Sequence, residues 1–182
     1  GRIDAIICGS DCQVGIESTV VDMRKDKPVI LRPGRITAED LSNAIGGMVL
    51  IHPSLKQKDM SQSDVDMSQN MVARSPGMKY KHYAPEAEMQ IFISDTNDRE
   101  KALKMAEEEA NRLKTIGKKP TIISFTDGIE AAHDLFRRLR DADKAGYDVI
   151  LAVGVSDDES GGVGFSVMNR MLKSAGYNVK KV

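Results

Sequence analysis

The 182-residue chain is 41% hydrophobic and 29% charged with a formal net charge of -1, the profile of an ordinary globular protein of one or two domains. That balance leaves no broad basic surface for tight electrostatic capture of nucleic acid, although Lys79 and Lys81 make a local basic patch. The sequence shows no apolar run long enough to cross a bilayer and no secretory signal, so a cytoplasmic location is expected.

The chain begins at Gly1 and runs at once into apolar residues 3–8, which want sheet neighbours, so it reads as a piece of something longer. Cys8 and Cys12 are the only cysteines, and His52, His82 and His133 lie far from them in sequence. No metal-ligand spacing assembles, and a pair of reduced, partly buried thiols is expected. Strands are predicted at residues 5–8, 15–23 and 28–31, followed by a helix and a fourth apolar run at 48–51. Thr37 is the expected N-cap with Asp40 in the capping-box position, Leu41, Ala44 and Ile45 form the apolar stripe, and Gly46-Gly47 ends the helix.

Within this block, period-two alternation over residues 15–22 puts Ile16, Ser18 and Val20 on one face and Glu17, Thr19 and Val21 on the other. The Ser18 hydroxyl either serves a polar ligand or satisfies a backbone carbonyl. Residues 29–34, Val-Ile-Leu-Arg-Pro-Gly, deliver Arg32 to the exit of a strand just before a turn. There it either forks onto a phosphate or carboxylate or stays a solvated edge residue.

Residues 53–70 turn polar and aperiodic, which reads as a linker. Residues 75–85 then read Ser-Pro-Gly-Met-Lys-Tyr-Lys-His-Tyr-Ala-Pro. Pro76-Gly77 demands a tight turn, and Pro85 keeps Ala84 extended. Lysines, a histidine and tyrosines between those brackets suit an anionic, planar ligand such as a nucleotide, or else a solvated basic hinge.

Residues 87–182 alternate strands at 89–93, 120–125 and 148–153 with helices at 98–115, 128–144 and 165–175, capped at the first helix by Asn97 with Glu100. Strands separated by helices of this length imply a parallel, Rossmann-like sheet. Gly161-Gly162-Val163-Gly164 reads as a tight turn before the last helix rather than a phosphate loop, because it lacks the third glycine of the dinucleotide fingerprint and the Lys-Ser/Thr of a P-loop. Asp157, Asp158 and Glu159 read as a solvated acidic loop.

Taken together, residues 1–4, 15–22, 31–34, 75–85 and 164–173 resemble the two-domain form of the L-threonylcarbamoyladenylate synthase family, in matching order along essentially the whole chain. The resemblance implies an α/β architecture: residues 1–52 as the C-terminal fragment of a YrdC-like α+β catalytic domain, 53–86 as linker and active-site lid, and 87–182 as a small Rossmann-like parallel-sheet domain. It also implies a nucleotidyltransferase joining L-threonine, bicarbonate and ATP, with Mg2+ accompanying the ATP, into threonylcarbamoyl-AMP with release of pyrophosphate, feeding the threonylcarbamoyladenosine modification of tRNA. By the same resemblance Ser18 contacts L-threonine, Arg32 binds the ATP phosphates, and Tyr83, Lys79, Tyr80 and His82 close over ATP.

No covalent nucleophile and no resident metal ligand is expected. The implied partners are the substrates and a downstream tRNA threonylcarbamoyl-transfer machinery, with a monomeric state and no membrane contact. Three family segments are absent: the opening basic motif, a Pro-Thr-Glu-Thr-like stretch and a Ser-x-Asn stretch. Cys8-Gly9-Ser10 also stands where the family tends to have Asp-Gly-Gly. The chain by itself is therefore expected to be inactive. The rival readings are an RNA-binding or protein-interaction module using the basic linker, with at most a weak RNA contact, and a carbamoyltransferase of related fold.

Overall fold

Two small sheets carry the chain, and the computed structural model describes them through residues 3–10, 12–24, 26–55, 84–94, 96, 98–157 and 159–182. In the first sheet, β1 (Val20–Asp22) pairs antiparallel with β2 (Val29–Arg32), and β2 pairs parallel with β3 (Leu50–Ile51). Helix α1 (Ala38–Ile45) makes the crossover from β2 to β3. Its ends are set locally. The Thr37 side chain accepts from the Asp40 amide, the Asp40 carboxylate accepts from the Thr37 amide, and Gly46 closes the helix in the left-handed region at φ 64°.

The second sheet is all parallel: β4 (Glu88–Ile93), β5 (Pro120–Ile123), β6 (Val149–Val153) and β7 (Val179–Lys181), in spatial order β5-β6-β4-β7. Its central strand β6 is buried and apolar on both faces, as a strand covered on both sides requires. Along β6, Val149, Leu151 and Val153 turn to one side with Phe92, against Ala102, Ala106, Ala110 and Leu113 of α2 (Arg99–Thr115). Ile150 and Ala152 turn to the other with Ile91, against α3 (Gly128–Lys144) and α4 (Glu159–Ser174), where Leu135, Leu139, Val163, Val167 and Met171 close the core. The result is a three-layer helix–sheet–helix arrangement, the α/β class expected from the alternating pattern.

Several expectations need correction. Residues 5–8 form no strand and are exposed along their whole length, and a strand without a partner is not stable by itself. Cys8 and Cys12 are likewise exposed thiols rather than partly buried ones. The strand expected from residue 15 begins only at Val20, so Ile16 and Ser18 do not share an environment: Ile16 is buried and Ser18 exposed. The reason is a competing bond, since the Gly15 amide donates to the Ala132 carbonyl of α3 at 2.9 Å and so leaves any ladder. A Cβ on Gly15 would sit 2.2 Å from the His133 carbonyl oxygen, so only glycine allows this approach.

Helix α1 is a helix, but none of its residues is buried, so the Leu41, Ala44 and Ile45 stripe faces no core among the described residues. Asp98 caps α2, its carboxylate accepting from the Lys101 amide at 3.0 Å; Asn97, the expected cap, lies outside the described residues. Helix α4 starts at Glu159 rather than near Phe165, which places the glycine run inside the helix; Gly162 keeps φ +86° there, and a Cβ on it would stand 3.5 Å from Thr37 Cγ2. Strand β7 had no expectation at all.

Candidate functional site

The first sheet and helix α4 meet at a junction built from residues 14–19 and 32–37. Ile16 belongs to the same apolar cluster as Leu135, Val167 and Met171, with Val14 packed against it, so this stretch is anchored in the core beneath the second sheet. From that anchor the chain alternates: Glu17 turns toward α4 and Ser18 toward solvent.

Arg32, at the exit of β2, lies opposite Val20 in the β-ladder and reaches back two residues further. Its Nε donates to the Ser18 carbonyl at 3.0 Å and its Nη2 to Ser18 Oγ at 3.2 Å. A planar guanidinium held at two points by one residue is fixed in orientation. The two sequence-predicted residues of this block thus come together, 14 residues apart along the chain. Tyr83, Lys79, Tyr80 and His82 lie outside the described residues.

Behind this pair the backbone is packed without room for a side chain. A Cβ on Gly34 would fall 2.4 Å from the Thr19 amide nitrogen and 2.7 Å from the Glu17 carbonyl oxygen. Thr19 Oγ1 donates to the Ile36 carbonyl at 2.6 Å, tying the two arms together again on the far side of the turn.

Helix α4 grips the junction with polar groups. Arg170, only 5% exposed, donates from Nε to Glu17 Oε2 at 2.5 Å, from Nη2 to the Pro33 carbonyl at 2.9 Å and from Nη1 to Asn169 Oδ1 at 3.0 Å. Ser166, one turn earlier on the same face, donates to the Gly34 carbonyl at 2.7 Å. Burial pushes the Glu17 carboxyl up, but its hydrogen bond and charge pairing with Arg170 outweigh that and hold it below the usual carboxylate range.

Lys173 completes a cationic neighbourhood. Burial first, then the Arg170 guanidinium and more weakly that of Arg32, lower it to about 8 against the opposing pull of Glu17. Three cationic side chains thus stand near one carboxylate, a setting that favours anionic groups of a ligand, while the Ser18 hydroxyl beside Arg32 can accept or donate.

Sequence reasoning missed Glu17, Ser166, Arg170 and Lys173. The signal for three of them was present: polar residues at 166, 170 and 173 recur on one helix face at spacings of four and three between the apolar Val167, Met168, Met171 and Leu172. Glu17 carried no such signal, since its partner lies 153 residues away.

Comparison with known proteins is consistent along the chain. The family model described as threonylcarbamoyl-AMP synthase, C-terminal domain, matches residues 36–176. A threonylcarbamoyl-AMP synthase of Pyrococcus abyssi is 38% identical over 194 residues, which takes in 100% of this chain and 52% of that protein. Those of Schizosaccharomyces pombe and Bacillus subtilis are 33% and 32% identical, over 96% and 98% of this chain and 46% and 51% of theirs. Among solved structures, the crystal structure of P. abyssi Sua5 complexed with L-threonine superposes with a TM-score of 0.82 at 36% identity, covering 100% of this chain and 52% of that one. The chain spans about half the length of the curated relatives it matches.

Proposed function

The chain belongs to the threonylcarbamoyl-AMP synthase family, matched by the family's C-terminal domain over residues 36–176, and from that premise we propose that the intact protein joins L-threonine, bicarbonate and ATP into threonylcarbamoyl-AMP and pyrophosphate for tRNA modification. The observation that carries this reading is the contact of Arg32 with Ser18. One residue is the proposed ligand of the ATP phosphates and the other of L-threonine, and with those roles their contact would bring the two substrates side by side.

The chemistry asks mainly for placement. The threonine nitrogen combines with bicarbonate to give a carbamate and water, and a carbamate oxygen then attacks the α-phosphorus of ATP, breaking its bond to the bridging oxygen of the departing pyrophosphate. Ser18 orients the amino acid by its hydroxyl. Arg32, already pinned at two points, offers fixed positive charge as negative charge grows on the leaving group, which costs no reorganisation at the moment of reaction. Holding two bound reactants in line can by itself supply several kcal/mol, so no covalent nucleophile is required.

Carbamate and mixed anhydride both hydrolyse readily. Tyr83, Lys79, Tyr80 and His82 are proposed to close over ATP and exclude water. A magnesium ion would travel with the triphosphate as its counter-ion. No described helix is long and apolar enough to cross a membrane; a cytoplasmic, monomeric enzyme that hands its product to a tRNA-modifying partner is the proposed setting.

The test is pyrophosphate release by the intact protein with ATP, threonine and bicarbonate, each omitted in turn. Release that needs all three is expected. Equal release without threonine would overturn the reading.

A further inference from the structure

We propose that Arg170, on helix α4, is a positioning residue for the Ser18–Arg32 site, so that the helix beneath the second sheet aligns the substrate-binding groups carried by the first; this rests on the function proposed above. Arg170 never touches Ser18 or Arg32 in the described contacts. It holds their immediate chain neighbours instead: the Glu17 carboxylate at 2.5 Å and the Pro33 carbonyl at 2.9 Å, from two nitrogens of one rigid guanidinium. The separation of those two acceptors is therefore set by the geometry of the fork, and with it the spacing of residue 18 from residue 32.

Three further observations make the grip specific. The third nitrogen group is steadied by Asn169, which keeps the guanidinium plane from turning. Ser166 fixes the next carbonyl of the turn, that of Gly34, from the same helix face. Gly34 in turn is in such close backbone approach to residues 17–19 that movement of one arm must move the other. Burial matters too: at 5% exposure, Arg170 is shielded from competing water, so its hydrogen bonds are strong and directional. A rigid helix in a packed core is a better reference frame for a reactive site than the short strands β1 and β2 alone.

The intact protein carrying Arg170→Met, Arg170→Lys or Ser166→Ala tests this by two readouts. In hydrogen–deuterium exchange, Arg170→Met is expected to raise exchange at residues 15–20 and 30–36 while β4 and β6 stay protected. In steady-state kinetics it is expected to raise KM for both ATP and threonine about tenfold, with Arg170→Lys intermediate because an ammonium can reach one acceptor but not span both. A purely structural role would reduce the active fraction, lowering apparent kcat with both KM values unchanged, and that result would overturn the proposal. So would unchanged exchange at both arms. Should Arg170→Met fail to fold, Ser166→Ala takes its place, with a rise in both KM values of about threefold expected for one lost neutral hydrogen bond, and unchanged KM values again decide against it. Failure of the wild-type protein to release pyrophosphate would instead strike the functional reading, while the exchange pattern would still report on the grip.

Discussion

Helices α1 and α3 are both amphipathic and both begin at a well-formed cap, yet they end in opposite situations. Helix α1 has a complete capping box and a left-handed glycine stop but buries none of its residues, whereas α3 buries Ala131, Ala132, Leu135, Phe136, Leu139 and Ala142 against the parallel sheet. The same contrast runs through the two regions. Within residues 3–50, Ile3, Ile6, Ile7, Ile36, Ile45, Met48 and Leu50 stand exposed, while Phe92, Ile91, Leu135, Ile150 and Leu151 are sealed around the second sheet. Local signals are enough to write a helix, but tertiary partners decide what it is worth. Residues 14–19 of the first region obtain their order where they meet α3 and α4, which is where Ser18 and Arg32 sit.

Substitutions can break or sharpen that contrast. The largest effect is expected from Leu135→Ala, where a fully buried side chain leaves a cavity: a loss of about 2–5 kcal/mol in denaturant unfolding. A loss below about 1 kcal/mol would mean that the second region is not the stable one. Next comes Lys173→Met. The folded-state pKa of Lys173 is lowered from 10.5 to about 8, so the unfolded chain binds more protons than the folded one between those values and stability rises with pH across that window. Below about pH 8 the charged lysine therefore costs stability. The methionine variant is expected to be about 1–2 kcal/mol more stable at pH 7, the figure reduced for partial exposure, with the gain fading toward pH 10.5. Destabilisation at pH 7 would show that the cationic neighbourhood is net attractive instead. The smallest effect belongs to Ile45→Ala, at 48% exposure, for which thermal unfolding should move by less than about 0.5 kcal/mol.

Glu17 adds a pH arm to the same series. Its folded carboxyl lies below the usual range, so its contribution is present above the unfolded value of 4.5 and is lost as pH falls through the folded one. Glu17→Gln should accordingly destabilise at pH 7 and differ little from wild type at strongly acidic pH. A penalty that persists unchanged in acid would separate it from charge pairing with Arg170.

What was legible in the sequence was what is decided over a few residues. Thr37 with Asp40, Gly46, and Arg32 before Pro33-Gly34 each declare a cap, a stop or a strand exit without reference to the rest of the chain, and the alternating apolar runs from residue 88 onward declare a parallel sheet. What was not legible is decided at long range. Strand β1 is short because Gly15 bonds to α3, more than a hundred residues on, and the Glu17–Arg170 pair spans 153 positions. The start of helix α4 is hidden because Gly161, Gly162 and Gly164 read as a turn, although Gly162 accommodates its positive φ within the helix, beside Thr37. Strand β7, three residues long, follows only from the unfilled edge beside β4.

The central claim is that Ser18 and Arg32 work as one site for two substrates. A double-mutant cycle with Ser18→Ala, Arg32→Ala and both together, read as kcat/KM for pyrophosphate release by the intact protein, tests it most directly. Each single change should cost activity, Arg32→Ala on the order of a hundredfold, and the double should lose clearly less than the product of the two. Losses that simply multiply, or a Ser18→Ala enzyme as active as wild type, would contradict it.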